Sequence, residues 1–156
     1  NAYLKEIDVL TSMNGIGVFM ALAFIADIAD ITRFKSSKKL ASYLRSAPGV
    51  DQSNEKVINK KTSRYGRRLS ISLLSQSYIH FRDSNPKLRR WYDKQSGKKR
   101  NGVIRMAIYR RVIGEIFQML KKGEYHYYRD QKLHDQKMNE YLRLLKKNGR
   151  TLTKIA

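Results

Sequence analysis

The fold is decided by the stretch Leu10-Thr-Ser-Met-Asn-Gly-Ile-Gly-Val-Phe-Met-Ala-Leu-Ala-Phe-Ile25, which places a Gly-Ile-Gly turn between two apolar helical segments. Glycine lets the backbone turn tightly and lets another molecule come close to it. Because the second helix begins at Gly17, its free N–H groups and positive dipole end point outward and suit a phosphate. The stretch predicts either a helix-hairpin-helix within residues 10–29 that contacts a nucleic-acid backbone through Gly15 and Gly17, or a helical corner that needs glycine for packing.

The composition indicates a polyanionic partner. The 156 residues include 33 Lys or Arg and 13 Asp or Glu, which gives a net charge of +20. Such an excess favours nucleic acid first and an anionic membrane surface second. The longest apolar run is shorter than the roughly 20 residues of a bilayer span, so we expect no membrane segment. The chain has no cysteine, which excludes disulfides and thiolate metal sites and fits a cytoplasmic location.

The spacing of apolar residues predicts an all-α fold, in which the helix-hairpin-helix is followed by a small helical bundle. Residues 49–60 lack helical periodicity and predict an irregular loop or a short β excursion. The apolar stripe on the last helix is narrow, and it docks either within this chain or on a partner chain. The helices are expected at residues 2–12, 17–29, 37–45, 66–82, 103–121 and 131–147, with a further helix beginning at Pro86.

The cations are concentrated in the middle of the chain. Between Lys56 and Gly114 there are seventeen Lys or Arg and two acids. Aromatic residues are interleaved with them, so stacking on bases is conceivable, but for Tyr78, Trp91 and Tyr109 a place in the core is favoured. The candidate DNA-binding side chains in this region are Lys60, Lys61, Arg64, Arg67, Arg68, Arg89, Arg90, Lys98, Lys99, Arg100, Arg110 and Arg111.

Few residues suggest catalytic chemistry. The histidines lack the spacing of metal ligands, and no nucleotide-binding loop or nucleophile elbow is present. We expect Asp27 to be solvated or paired with a nearby cation rather than bound to metal. Ser53 lies in the polar segment just before the basic cluster, where a hydroxyl can attack a phosphodiester and cations can stabilise the developing charge. From the residues alone, a turn hydrogen bond is the favoured interpretation of Ser53.

The order of several motifs resembles one protein family. Over about residues 4–123 the chain resembles the C-terminal domain of DEDD-type insertion-sequence transposases, whose better-known members are guided by a bridge RNA. The stretches that carry the resemblance are Gly15-Ile-Gly17, Ile28-Ala-Asp-Ile-Thr-Arg-Phe-Lys35, Ser37-Lys-Lys-Leu-Ala-Ser-Tyr43, Pro48 with Gln52-Ser53, Ser63-Arg-Tyr-Gly66, Asn85-Pro-Lys-Leu-Arg-Arg-Trp-Tyr92, and the helix Ile104 to Leu120 with Arg110-Arg111.

This resemblance implies a DNA recombinase in which Ser53 is the nucleophile. The family's serine lies five residues after a proline in a Gln/Glu-Ser-Gly context, and here Gln52-Ser53-Asn54 occupies that position. Asn54 departs from the usual glycine, although asparagine also tolerates left-handed conformations. A second departure follows Gly66, where Ser70-Ile71-Ser72 replaces the family's Leu-Arg-Arg. The resemblance also implies an N-terminal RuvC-like domain whose acidic tetrad binds a divalent metal such as Mg²⁺.

Nothing in this sequence matches the RuvC-like half, so we expect the chain to be a fragment that binds DNA without cutting it. Residues 1–123 are then the catalytic and DNA-binding domain, and residues 124–156 are a C-terminal helical extension. The expected partners are DNA, a guide RNA and further copies of the full-length protein, and no cofactor is expected in this domain. The alternative is a non-catalytic helical module that grips the phosphate backbone of DNA or RNA.

Overall fold

A computed structural model describes residues 3–46, 48–53, 56–62 and 68–147, with the backbone alone described across the two strands. Within these residues the chain forms eight α-helices, a 3-10 helix at Ile31–Arg33 and one pair of strands. The elements are α1 (Leu4–Thr11), α2 (Val18–Ile28), α3 (Ser37–Tyr43), β1 (Pro48–Ser53), β2 (Lys56–Thr62), α4 (Leu69–Gln76), α5 (Tyr78–Ser84), α6 (Pro86–Gln95), α7 (Asn101–Lys122) and α8 (Gln131–Lys147). The fold is therefore all-α with one short β excursion, as the sequence predicted.

Helix α7 lies at the centre of the core. It contacts α1, α3, α5, α6 and the 3-10 helix. Its buried residues, which include Ile104, Ile108, Val112 and Ile116, recur every four positions, as expected for a helix with one face inward. The helix ends at Gly123, which adopts the left-handed conformation with φ of 70° that commonly stops helices.

Helices α1 and α2 pack against each other across the Gly-Ile-Gly turn. Their inward faces include Leu10, Ala21 and Phe24, all fully buried. Helix α2 is not buried on all sides, because Phe19 is 68% exposed and Leu22 is 41% exposed. The apolar residues of α2 therefore lie on two faces of the helix, one in the core and one exposed.

Residues 48–53 and 56–62 form the antiparallel hairpin β1–β2. Helix α3 precedes the hairpin along the chain. It begins after Ser36, whose hydroxyl accepts a hydrogen bond from the backbone N–H of Lys39. In the hairpin, Ser53 pairs with Lys56 and Gly49 pairs with Lys60. The register then shifts between Pro48 and Gly49, since Pro48 pairs with Thr62 and Lys61 is left as an extra residue on β2.

The single helix predicted at residues 66–82 is two helices, α4 and α5, separated at Ser77. Leu69, at the start of α4, is 47% exposed. The neighbouring Ser70 is fully buried, and its N–H and hydroxyl donate to the Asp27 carboxylate at 3.0 and 2.7 Å. Since Ser70 is the residue fixed against α2, Leu69 lies about 100° away around the helix and faces outward. The expectation that Asp27 is solvated or paired with a cation is also wrong.

The last helix, α8, packs on α1 and α2. The imidazole of His134 lies 3.0 Å from the Asp8 carboxylate, and the Thr11 hydroxyl lies 3.4 Å from the sulfur of Met138. The sequence left two alternatives for the apolar stripe of α8, this chain or a partner chain. The contacts show that α8 docks within the same chain. Across the described residues, no helix combines the length and the apolar character that a membrane crossing requires.

Candidate nucleic-acid interface

Gly15 is required by packing. Its φ is +95°, a conformation that side-chain-bearing residues rarely adopt. A Cβ added there would lie 2.9 Å from two ring carbons of Phe81, which is itself only 1% exposed. The packing alternative therefore accounts for Gly15, and its contact with DNA stays a prediction.

Gly17 has a different environment. It is exposed, its backbone is extended, and an added Cβ would meet nothing within 4 Å. It precedes the first turn of α2, and among the described residues no side chain accepts a hydrogen bond from that turn's N–H groups. The first N–H groups of a helix lack partners within the helix, so the start of α2 offers them to a bound anion. This geometry suits a phosphate oxygen.

Lys137 of α8 contacts the part of the turn that lies next to the end of α1. Its ammonium donates to the carbonyl oxygens of Thr11 at 2.9 Å and Met13 at 3.3 Å. These carbonyls follow the end of α1, where cations are favoured by the helix dipole. Burial lowers the pKa of Lys137 to about 8, and the charge of Asp130 opposes that shift. Helix α8 therefore contributes a half-buried cation that holds two carbonyl groups at the turn.

Ser53 is the last residue of β1, and its partner Lys56 is the first residue of β2. A six-residue strand spans roughly 20 Å, so Ser53 lies about that far from the Pro48 end of the hairpin. Lys60 and Lys61 lie on β2, near that Pro48 end. The side chains of these residues, and all of Arg64 and Arg67, lie outside the described part of the chain.

Apart from Arg110 and Arg111, the remaining predicted DNA-binding side chains fall into two groups, those without an acidic partner and those with one. Arg68, Arg90, Lys98, Lys99 and Arg100 are exposed, and no acidic partner lies within ion-pair distance of them among the described residues. Lys98 to Arg100 occupy the turn between α6 and α7, which brings them close to one another. The exposed basic turn is thus available to a polyanion.

Arg89 belongs to the other group. Its guanidinium lies 2.7 Å from Asp83 and 3.2 Å from Asp93, while Arg82 pairs with Asp83 at 2.7 Å. The hydrogen bonds from Arg82, with a further contribution from Arg89, lower the pKa of Asp83 to about 2. Since two acids already compensate its charge, Arg89 is a weaker candidate for a phosphate contact than its neighbour Arg90.

Arg110 and Arg111 are adjacent on α7 but differ in exposure. Arg110 is half-buried, whereas Arg111 is exposed and its guanidinium lies 4.4 Å from the centre of the Trp91 ring. Stacking on an aromatic ring holds a guanidinium in place while leaving its N–H groups free for an anion. Trp91 is half-buried against the core, as the sequence analysis favoured.

One basic residue was missed. Arg33 lies over the rings of Phe34 and Tyr43, at 4.8 and 4.7 Å from their centres. It is exposed, as are Lys35, Lys38 and Lys39 on the segment that leads to the hairpin. The signal in the sequence was an arginine beside an aromatic residue in a basic stretch, but its pairing with Tyr43 depends on the fold.

Two of the three histidines, His126 and His134, are structural. His126 is 4% exposed and lies 3.1 Å from Glu115, and His134 is 2% exposed beside Asp8. In the described part of the chain, no three His, Asp or Glu side chains come together in a way that would hold a metal ion. The described residues therefore do not fit a metal centre.

Comparisons with known proteins identify the family. The model of the transposase IS116/IS110/IS902 family matches residues 7–93, more than half of the chain. A protein of Streptomyces coelicolor (strain ATCC BAA-471 / A3(2) / M145) named "Insertion element IS110 uncharacterized 43.6 kDa protein" is 30% identical over 121 residues. The alignment covers 76% of this chain but 29% of that protein, so the chain spans under a third of its relative's length. The match to the family model over residues 7–93 shows that the chain belongs to the IS116/IS110/IS902 family of transposases.

Proposed function

We propose that this chain is the DNA-engaging domain of a DNA recombinase and that Ser53 is its nucleophile. The observation that carries the proposal is the position of Ser53 at the turning end of the β1–β2 hairpin, opposite Lys56. A hairpin that leaves an all-α body can bring one residue to a DNA strand while the body holds the duplex. Membership of a transposase family supports DNA as the substrate.

The proposed reaction is a transesterification at phosphorus. The Ser53 oxygen attacks a phosphodiester of the DNA backbone, and a serine–phosphate ester bond forms. The bond from phosphorus to the departing strand breaks, and the serine proton ends on the oxygen of that strand as a hydroxyl. Attack by a strand hydroxyl on the serine ester reverses the step and joins DNA. The cation of Lys56, the strand partner of Ser53, would stabilise the negative charge on the phosphate.

The start of α2 supports a second, non-covalent contact. Its exposed Gly17 and free N–H groups form a site that grips a phosphate without reading the sequence. This is the helix-hairpin-helix function that the Gly-Ile-Gly turn predicted. The same site also supports the alternative function, a binding module without chemistry, in which Ser53 has no role.

The full-length recombinase would supply the other components. We assign the divalent metal to an N-terminal RuvC-like domain, and no step proposed for this chain passes through a metal. Assembly of several copies on DNA, a guide RNA and a cytoplasmic location belong to the same proposal. We expect these 156 residues, tested alone, to bind duplex DNA and leave it intact, because the proposed reaction also requires the metal-binding domain.

Replacing Ser53 by alanine in the full-length protein separates the two functions. We expect recombination to be lost while DNA affinity stays within about two-fold, since one hydroxyl contributes little to a backbone-dominated complex. Ser75→Ala is the matched control, because Ser75 is exposed on α4 and should affect neither property. Recombination assays and filter binding measure both. Normal recombination by the Ser53→Ala protein would leave the non-catalytic module as the function.

A further inference from the structure

A cleft of about 490 Å³ lies between α6, α7 and the segment that follows α7. It is separate from the hairpin and from the start of α2, and the proposed reaction does not use it. Pockets of about 300 to 1,000 Å³ are typical of small-molecule and cofactor sites. Its wall on α7 is formed by Arg111, Gly114, Glu115, Gln118 and Lys122.

The cleft is basic and aromatic. Three cations line it, namely Lys87, Arg111 and Lys122. The ammonium of Lys87 lies 4.3 Å from the centre of the Tyr127 ring, which also lines the cleft and is 53% exposed. Cations beside an open aromatic ring form a combination that binds a phosphate and an adjoining base together.

Two acids line the cleft: the exposed Glu124 lies 3.7 Å from the ammonium of Lys122, and Glu115 is directed to protein donors. The Glu115 carboxylate lies 3.1 Å from the His126 imidazole and accepts from Tyr127 at 2.8 Å and from Asn85 at 3.3 Å. Burial, reinforced by the bond to Glu115, raises the pKa of Tyr127 to about 12 and keeps its phenol neutral. Glu115 thus fixes the position of the Tyr127 ring, and no described cation of the cleft pairs with it.

Gly114 provides an independent indication of a ligand. It lies in the interior of α7, where glycine is less favourable than alanine. A Cβ added at Gly114 would meet nothing within 4 Å, so packing does not require a glycine there. A glycine that faces a cleft leaves the helix backbone open to close approach by a bound molecule.

We propose that this cleft binds one unpaired nucleotide. Its phosphate would lie among Lys87, Arg111 and Lys122, and its base would lie on the bare backbone at Gly114 against the Tyr127 ring. A base inside a duplex cannot reach such a cleft, so the ligand comes from a single strand or from an extruded position. The inference rests on the proposed function only in taking nucleic acid as the partner.

The test is a titration of the 156-residue chain with the 5′-phosphorylated dinucleotides pTpT and pUpU, followed by the amide NMR signals of Gly114 and Gln118. We expect saturable shifts at both amides. Gly114→Ala should weaken binding at least about five-fold, because its methyl group occupies the base site. The same change should raise the melting temperature by about 2–4 °C, since alanine is the better helix residue. A general loss of folding cannot produce this combination of results.

Adjacent lysines give the charge control. Lys122→Gln should weaken dinucleotide binding several-fold, whereas Lys121→Gln removes the same charge from the same helix outside the cleft and should not. Preference for pTpT or for pUpU identifies a DNA or an RNA strand as the source. Equal weakening by both lysine changes, non-saturable shifts, or unaltered binding by Gly114→Ala would each overturn the proposal.

The inference and the proposed function fail separately. Ser53→Ala should leave dinucleotide binding unchanged, because Ser53 does not line the cleft. If the cleft binds the dinucleotide and the full-length Ser53→Ala protein still recombines, the cleft is retained and the nucleophile is rejected. If the cleft does not bind and Ser53→Ala abolishes recombination, the reverse holds.

Discussion

At the scale of single residues, Gly15 and Gly17 use different properties of glycine. Gly15 supplies a positive φ and room for the Phe81 ring, which are requirements of the folded chain. Gly17 supplies an open surface at the start of α2, which the fold itself does not need. The Gly15-Ile-Gly17 motif therefore makes a packing contact at its first glycine and leaves the backbone exposed at its second.

This difference predicts opposite results for two matched changes. Gly15→Ala should lower the free energy of unfolding by about 2–4 kcal/mol, since it adds a methyl group 2.9 Å from a buried ring at a strained φ. Gly17→Ala should change stability by less than about 1 kcal/mol but weaken binding to duplex DNA. Urea denaturation and DNA titration measure the two effects. Equal destabilisation by both changes would contradict this division.

Some residues could be placed from the sequence and others could not. Ser36 as a helix cap and Gly123 as a helix stop follow from local chemistry, because a hydroxyl accepts from a helix's first N–H groups and glycine adopts the left-handed conformation. Asp27 was misassigned because its partner, Ser70, is 43 positions away in the sequence. The stacking of Arg33 on Tyr43 was missed for a similar reason. A partner that is distant in sequence leaves no periodic signal.

At the scale of elements, the turn between α1 and α2 depends on α8. Lys137 of α8 donates to two carbonyl oxygens at the turn, and His134 and Met138 bind α1 beside it. Among the described residues, α8 is thus joined to α1 and to the turn through these contacts. Apolar spacing predicted α8 at its observed bounds, but it could not determine which surface the helix covers.

Lys137 makes this contact sensitive to pH. Its pKa is about 8 in the folded chain and about 10.5 when unfolded, so the unfolded chain binds more protons between those values. The folded state should therefore gain stability as the pH rises from about 7 to about 9.5. Lys137→Met should lose that gain, whereas Lys132→Met, on an exposed site of the same helix, should retain it. Urea denaturation across this range measures the gain. A gain that persists in Lys137→Met would show that another group causes it.

The break between α4 and α5 shows the limit of helical periodicity. Apolar residues continue at helical spacing through residues 66–82, so no local signal marks the break at Ser77. The Asp27–Ser70 contact fixes the start of α4, and the Phe81 ring against Gly15 fixes the position of α5. Two anchors on α2 and its turn therefore set the path of this segment.

At the scale of the whole molecule, the cations behind the net charge of +20 differ in how accessible they are to a bound polyanion. Arg89 is compensated by acids, whereas the turn at residues 98–100 and the segment before the hairpin are exposed and basic. Composition predicted a polyanionic partner, and the family supports DNA. It could not predict which cations are free, because ion pairs such as Arg89–Asp83 depend on how helices meet.

The central claim is that Ser53 becomes covalently joined to DNA. The most direct measurement is to trap the full-length transposase on its DNA substrate, digest protein and DNA, and identify by mass spectrometry the peptide that carries a nucleotide. We expect the nucleotide on Ser53, and expect the adduct to disappear in Ser53→Ala but not in Ser75→Ala. A nucleotide on any other residue, or an adduct that persists in Ser53→Ala, would contradict the account.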